Sequence, residues 1–292
     1  MLVSWLKAAR FPSQLYLLFP LVLGQFFHYY ETKKFDLGLF ILILFFGIFL
    51  QLYIVFANDV ADEKTDRLNQ TASFFSGGSK VLVDENIGKK SLSYAAIIMA
   101  ILVLLSSYYI GIMADRRVEI MTLSFCAISL LWVYSYPPIK LSYRGGGELL
   151  QMLGLGILLP YLAYMAQGGS RLPHELGFLL PSHLACAIST GLSDVDSDFH
   201  CGKKTVVVLL GQRWASYWIF FLNSTSLLLL YKLSFLESAS PYFLIGMLFN
   251  LLFLGMRDCT PGSFPMELKI FLGLFISQYL IVISMVHLLS HN

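Results

Sequence analysis

Charge is scarce in this chain. Only 13% of its 292 residues are Asp, Glu, Lys or Arg, about half of the roughly 25% carried by soluble domains, which excludes an ordinary water-soluble globule. Its four cysteines (Cys126, Cys186, Cys201, Cys259) form no CxxC pair and no Cys/His zinc spacing, so they read as small apolar side chains. A formal net charge of +2 leaves no electrostatic footprint for nucleic acid. Low-complexity runs and a separate polar domain are both missing. No small-residue cleavage pattern follows the first apolar stretch, which therefore reads as a retained helix.

What fills the sequence is apolar: 57% hydrophobic residues and a mean hydropathy of +0.70. Lipid admits only helices or closed barrels, because every backbone polar group must be paired internally. The apolar runs are continuous, not alternating, so the expected fold is all-α, a polytopic membrane protein with a single domain over residues 1–292. About nine spans are expected, near 13–30, 37–57, 92–113, 118–136, 147–166, 175–193, 214–232, 241–256 and 268–289. With the N-terminus cytoplasmic, loops 58–91, 137–146, 194–213 and 257–267 share that side with 14 of the 20 Lys and Arg residues, the bias of the positive-inside rule. The lack of an Arg/Ser-rich leader favours a bacterial inner membrane.

Charge is concentrated where the second and sixth spans end. NDVADEKTDRLNQ, residues 58–70, sets Asp59, Asp62 and Asp66 on one helical stripe about 60° wide, with Glu63 on its flank. SDVDSDFHCGKKT, residues 193–205, places Asp194 and Asp198 four apart, with Thr190 one turn earlier and Asp196 pointing away. Both clusters fall on the cytoplasmic side in the expected topology, where they could form a single site. Like charges so near hydrocarbon are costly. Carboxylates facing phosphate-seeking cations (Lys80, Lys140, Arg144, Lys203, Lys204) suit Mg2+ bridging a polyphosphate, since Mg2+ takes oxygen ligands from a few carboxylates and the substrate. His200 is the nearest residue of a general-base type; as a loop histidine it reads first as solvated.

These residues resemble the UbiA superfamily of intramembrane prenyltransferases. Asn58-Asp59-x-x-Asp62-x-x-x-Asp66 matches its NDxxDxxxD motif, and Asp194-x-x-x-Asp198 followed by Gly202-Lys203-x-Thr205 is similar to its second motif. Tyr136 and Lys140 match its YxxxK element. The resemblance implies helices around a central cavity and two Mg2+ ions gripping the diphosphate of an isoprenyl donor. It makes Asp62, Asp66, Asp198, Lys140 and Tyr136 the candidate catalytic residues. Asp59, Asp62, Asp66, Asp194 and Asp198 would hold metal, with Asn58 beside the first, and Lys80 stands where relatives often carry Arg. The partners implied are an isoprenyl diphosphate, an aromatic acceptor and the lipid bilayer.

The stretch YSYPPIKLSYRGGGELLQMLGLG, with its RGxGE element (Arg144, Gly145, Gly147, Glu148), is most like the branch that prenylates 1,4-dihydroxy-2-naphthoate toward menaquinone; GGSKVL resembles that branch's GxRVL. Thr190 departs from the polar residue, often Asn, of many quinone-pathway relatives, and Glu63 stands where some carry Arg or Lys. The alternative acceptor is 4-hydroxybenzoate or another phenol. A carboxylate-bearing acceptor would meet Arg10 or Arg144. The 24 Phe and 16 Tyr supply aromatic walls that could shield a carbocation. A transporter or divalent-ion channel is the reading from another class; it calls for ionisable residues inside several spans, and the spans carry almost none.

Overall fold

The computed structural model describes residues 1–69, 78–232, 240–256 and 259–290. Arg257 of the positive-inside count and the first residues of FFSGGSKVL, 74–77, lie outside them.

Helix follows helix. A short α1 (Leu2–Ala8) turns through Arg10, in the left-handed region at φ 44, into α2 (Phe11–Thr32). The long α3 (Leu37–Leu68) starts where Asp36 Oδ1 accepts the Leu39 N–H at 2.9 Å. Its 32 residues reach about 48 Å at 1.5 Å per residue, against roughly 30 Å of bilayer hydrocarbon. The excess is where the first acidic motif sits. α4 (Lys89–Met113) and α5 (Arg117–Ser135) form a hairpin, followed by the single turn α6 (Leu141–Arg144).

α7 (Gly147–Leu153) runs through a π-helical turn, Gly154–Leu158, into α8 (Leu159–Ala166). Pro160 lacks the N–H that a regular ladder needs there, and the widened turn absorbs the defect. A 3-10 turn, His174–Phe178, leads into α9 (Leu179–Thr190), then α10 (Val195–His200). α11 (Val206–Lys232) is interrupted at Gly211. α12 (Ser240–Gly255) and α13 (Phe264–Ser290) close the described chain.

The expected spans fall mainly on helix, the sixth, 175–193, ending in the turn Gly191–Ser193, and the described residues form no strand. Among the described residues, five segments are long and apolar enough to cross a membrane: Leu37–Leu68, Lys89–Met113, Arg117–Ser135, Gly147–Ala166 and Phe264–Leu289. Pro241–Gly255 is apolar but shorter.

The chain divides into two compact units. The first comprises Met1–Arg67, Gly78–Lys140 and Leu158–Leu172. In it α2 packs on α8 so closely that a Cβ at Gly24 would overlap the Pro160 carbonyl. α5 packs on both α4 and α8. The second comprises Leu68–Gly77, Leu141–Ile157 and Pro173–Asn292. There α9 is central, flanked by α7, α11 and α13, over a core that includes Ala185, Ile188, Leu192, Ile219, Phe253 and Ile270.

Candidate active site

The first unit carries the first acidic motif at the end of α3. Asp59, Asp62 and Asp66 are 3%, 7% and 8% exposed, as one inward stripe requires. Glu63 faces outward, paired with Arg67 at 3.0 Å and Lys89 at 2.8 Å. Asp59 is held from two sides, by the Arg10 guanidinium on Oδ1 and by the Ser79 hydroxyl on Oδ2. Asp66 lies against the backbone of Gly78: a Cβ there would overlap the carboxylate, and φ is +76 besides. The Lys80 ammonium donates to the Asp66 carbonyl oxygen, so the expected phosphate lysine stands at this motif.

The end of α5 is built onto the same stretch of α3. Ser135 Oγ donates to Asn58 Oδ1 at 2.9 Å, and the Tyr136 hydroxyl donates to the Ala57 carbonyl at 2.7 Å. Tyr136 stacks on Trp132, ring centroids 4.6 Å apart. A turn from Tyr136 brings in half-buried Lys140, whose N–H donates to the Tyr136 carbonyl at 2.9 Å. Asn58, Asp59, Asp62, Asp66, Tyr136, Lys80 and Arg10 thus belong to one built locality in this unit.

The second unit holds the second motif, with one departure from expectation. Thr190 does not continue into the Asp194 helix. α9 stops at Thr190, and the chain turns through Gly191–Ser193 before α10 starts with Asp194 at its N-cap. The physical reason is local: Gly191 is a poor helix former, so α9 ends there and α10 starts afresh from Asp194. The i, i+4 relation survives, because the Asp198 N–H donates to the Asp194 carbonyl at 2.8 Å. Thr190 instead donates to the Ala187 carbonyl of its own helix at 2.8 Å.

Asp194 Oδ1 accepts from Asn69 Nδ2 at 2.9 Å and from Ser193 Oγ at 3.1 Å. Asp198, 5% exposed, pairs with Lys203 Nζ at 3.2 Å, and that ammonium lies 5.8 Å from the Tyr143 ring centre. Asp196 is exposed and turned away, as its rotation predicts. His200 is exposed too, with its Nδ1 2.7 Å from the Asp196 carbonyl oxygen. Arg144 and Lys204 have exposed side chains, and the Lys204 N–H donates to the Ser142 carbonyl at 3.3 Å. Glu148, buried, accepts the Val206 N–H at 2.7 Å. That carboxylate caps the positive end of α11 and ties the RGxGE element to the GKxT stretch.

Sequence reasoning missed the supporting shell of Ser79, Ser135, Asn69 and Ser193. Asn69 lay within the acidic stretch itself. The three serines carried no spacing that could mark them.

Both donor sets fit Mg2+. Every ligand on offer is a hard oxygen, the carboxylates are mostly buried, and the cations now on them mark where positive charge is needed. Among the described residues no three His, Cys, Asp or Glu side chains converge into a metal cage. Mg2+ does not require one, because it keeps several waters and binds one or two carboxylates plus phosphate.

Comparison with known proteins identifies the family and the fold. The UbiA prenyltransferase family pattern matches residues 17–258. A 2-carboxy-1,4-naphthoquinone phytyltransferase of Synechocystis is 26% identical over 256 residues, 82% of this chain and 76% of that protein. The chloroplastic 2-carboxy-1,4-naphthoquinone phytyltransferase of Arabidopsis thaliana is 25% identical over 72% of this chain, a match spanning just 56% of that protein's length. The fold is that of a UbiA homolog from Archaeoglobus fulgidus bound to GPP and Mg2+, with a TM-score of 0.71 at 18% identity over 98% of this chain and 99% of that one. A UbiA homolog from Aeropyrum pernix has a TM-score of 0.66 at 15% identity, covering 92% and 97%. The chain belongs to the UbiA prenyltransferase family and is a membrane prenyltransferase.

Proposed function

We propose that this prenyltransferase moves a polyprenyl group from an isoprenyl diphosphate to 1,4-dihydroxy-2-naphthoate, as in menaquinone biosynthesis, with Mg2+ as cofactor. The observation that supports a diphosphate donor most directly is the pairing of buried carboxylates with cations in each motif: Asp59 with Arg10, and Asp198 with Lys203. The acceptor rests on the relatives. The quinol form of the 2-carboxy-1,4-naphthoquinone in their names is 1,4-dihydroxy-2-naphthoate, the acceptor that the RGxGE stretch suggests.

In this reading Asp59, Asp62 and Asp66, with Asn58 beside them, hold one Mg2+, and Asp194 and Asp198 hold the other. When bound, the metal supplies Lewis-acid neutralisation of the departing diphosphate. Lys80, Lys140, Lys203 and Lys204 take phosphate oxygens and stabilise the charge that develops as the allylic C–O bond breaks. The Tyr136 hydroxyl fixes the end of α5 against Ala57 and keeps Lys140 in place. Arg10 or Arg144 meets the acceptor's carboxylate. The ring carbon that forms the new C–C bond regains aromaticity by releasing its substituent, a proton or the carboxylate as CO2. We place the N-terminus and both acidic motifs on the cytoplasmic face, with the whole chain acting as one catalytic domain.

The test is product formation. Purified protein receives farnesyl or geranylgeranyl diphosphate, Mg2+ and a panel of aromatic acceptors, with mass spectrometry as the readout. Prenylated naphthoquinol is the expected product. Prenylated 4-hydroxybenzoate in its place would overturn the acceptor and leave the reaction type intact.

A further inference from the structure

α13 carries one lysine, and it is buried. Lys269 is 6% exposed, and its ammonium lies 5.3 Å from the centre of the Phe253 ring of α12. An ammonium set into an apolar helix is expensive to desolvate and is kept where anionic groups repay the cost. A cation–π contact with the Phe253 ring contributes to that compensation.

The packing register says which anions are near. α13 runs antiparallel to α9. A Cβ at Gly273 would overlap the Ser189 side chain, and four residues further on Ser277 Oγ lies 3.4 Å from Cys186 Sγ. One turn forward on α13 therefore corresponds to about one turn back on α9. Lys269 lies one turn before Gly273, which puts it opposite the turn beyond Ser189, the turn that ends in Ser193 and Asp194. Met266 and Ile270 share a core cluster with Leu192, consistent with this register. Helical side chains lean toward the helix N-terminus, so Lys269 reaches further toward the motif end of α13.

We propose that Lys269 is a diphosphate-binding residue of the second motif, placed in α13 to take phosphate oxygens brought there by Asp194 and Asp198. The inference rests on the donor reading given above and adds a residue to it. The positive charge a diphosphate needs beside Asp194 and Asp198 would come from Mg2+, Lys203, Lys204 and Lys269, and removing Lys269 withdraws one of these charges.

The experiment is isothermal titration of inorganic diphosphate into detergent-solubilised protein with Mg2+, for the wild type, Lys269→Met and Lys269→Arg, each checked by thermal melting. Charge-assisted hydrogen bonds of this kind correspond to about ten-fold or more in affinity, so that loss is expected in Lys269→Met, with Lys269→Arg recovering most of it. Should the methionine variant not fold, Lys269→Gln carries the same comparison. Wild-type affinity in the folded neutral variant overturns the assignment and makes Lys269 a packing residue, with the donor reading untouched. Failure of the wild type itself to bind diphosphate overturns the donor reading, and this proposal with it.

Discussion

Arg10→Gln is the perturbation whose consequences the structure specifies most fully. Asp59 is 3% exposed, and its two oxygens are taken by Arg10 and Ser79. Removing one partner of a buried ion pair costs about 3–5 kcal/mol, mainly because the other charge is left uncompensated. The Arg10 side chain is 27% exposed, and Ser79 still donates, so the lower end applies, about 2–3 kcal/mol. In a chain of this size each kcal/mol moves the melting temperature by roughly 2–4 °C. Arg10→Gln should therefore melt about 4–12 °C below wild type in EDTA. Mg2+ should reverse much of this, since a metal on Asp59 does the work of the lost guanidinium. In the wild type the same Mg2+ must displace Arg10, so it stabilises less. The assay is thermal unfolding in detergent, each protein with EDTA and with saturating Mg2+. Identical melting of the two proteins in EDTA, or an equal Mg2+ increment in both, would refute Arg10 as the resting counter-charge of a metal carboxylate.

Two further outcomes follow from geometry. Gly78→Ala forces a Cβ onto the Asp66 carboxylate at a left-handed backbone position that costs about 1–2 kcal/mol by itself; prenyl transfer should fall at least ten-fold, while Gly88→Ala, where the nearest atom would be 3.9 Å away, should leave the rate unchanged. Wild-type rates in both would show that Asp66 is not held where the metal is proposed. Glu148→Gln weakens the anionic cap on the Val206 N–H and should cost about 0.5–2 kcal/mol, read as a lower melting temperature with the Mg2+ dependence retained. A loss of Mg2+ response without a change in melting would instead assign Glu148 to the metal.

Local signals were legible in the sequence because their causes are local. Continuous apolar runs impose helices in lipid, and the three-and-four spacing of Asp59, Asp62 and Asp66 imposes one face, which the structure buries. Long-range partners were not legible. Arg10 reaches Asp59 across 49 positions and Glu148 reaches Val206 across 58, distances over which no periodicity operates. The turn at Gly191–Ser193 separated Thr190 from Asp194, because an i, i+4 count assumes a helix that a weak former ends early. Lys269, second residue of the expected span 268–289, counted only among the cytoplasmic Lys and Arg, and only the α9–α13 register gives it a neighbourhood.

The most direct measurement compares prenyl transfer by wild type, Asp62→Asn and Asp198→Asn, with Mg2+ and after EDTA, in protein shown by melting to be folded. Each substitution touches one motif and keeps side-chain size. If both motifs hold the donor through Mg2+, each variant loses about 100-fold or more, as expected when a positioned electrostatic contact to the transition state is lost, and EDTA abolishes the wild-type rate until Mg2+ is restored. Near-wild-type turnover in either variant, or product formed in EDTA, would contradict metal-bridged diphosphate binding by the two motifs.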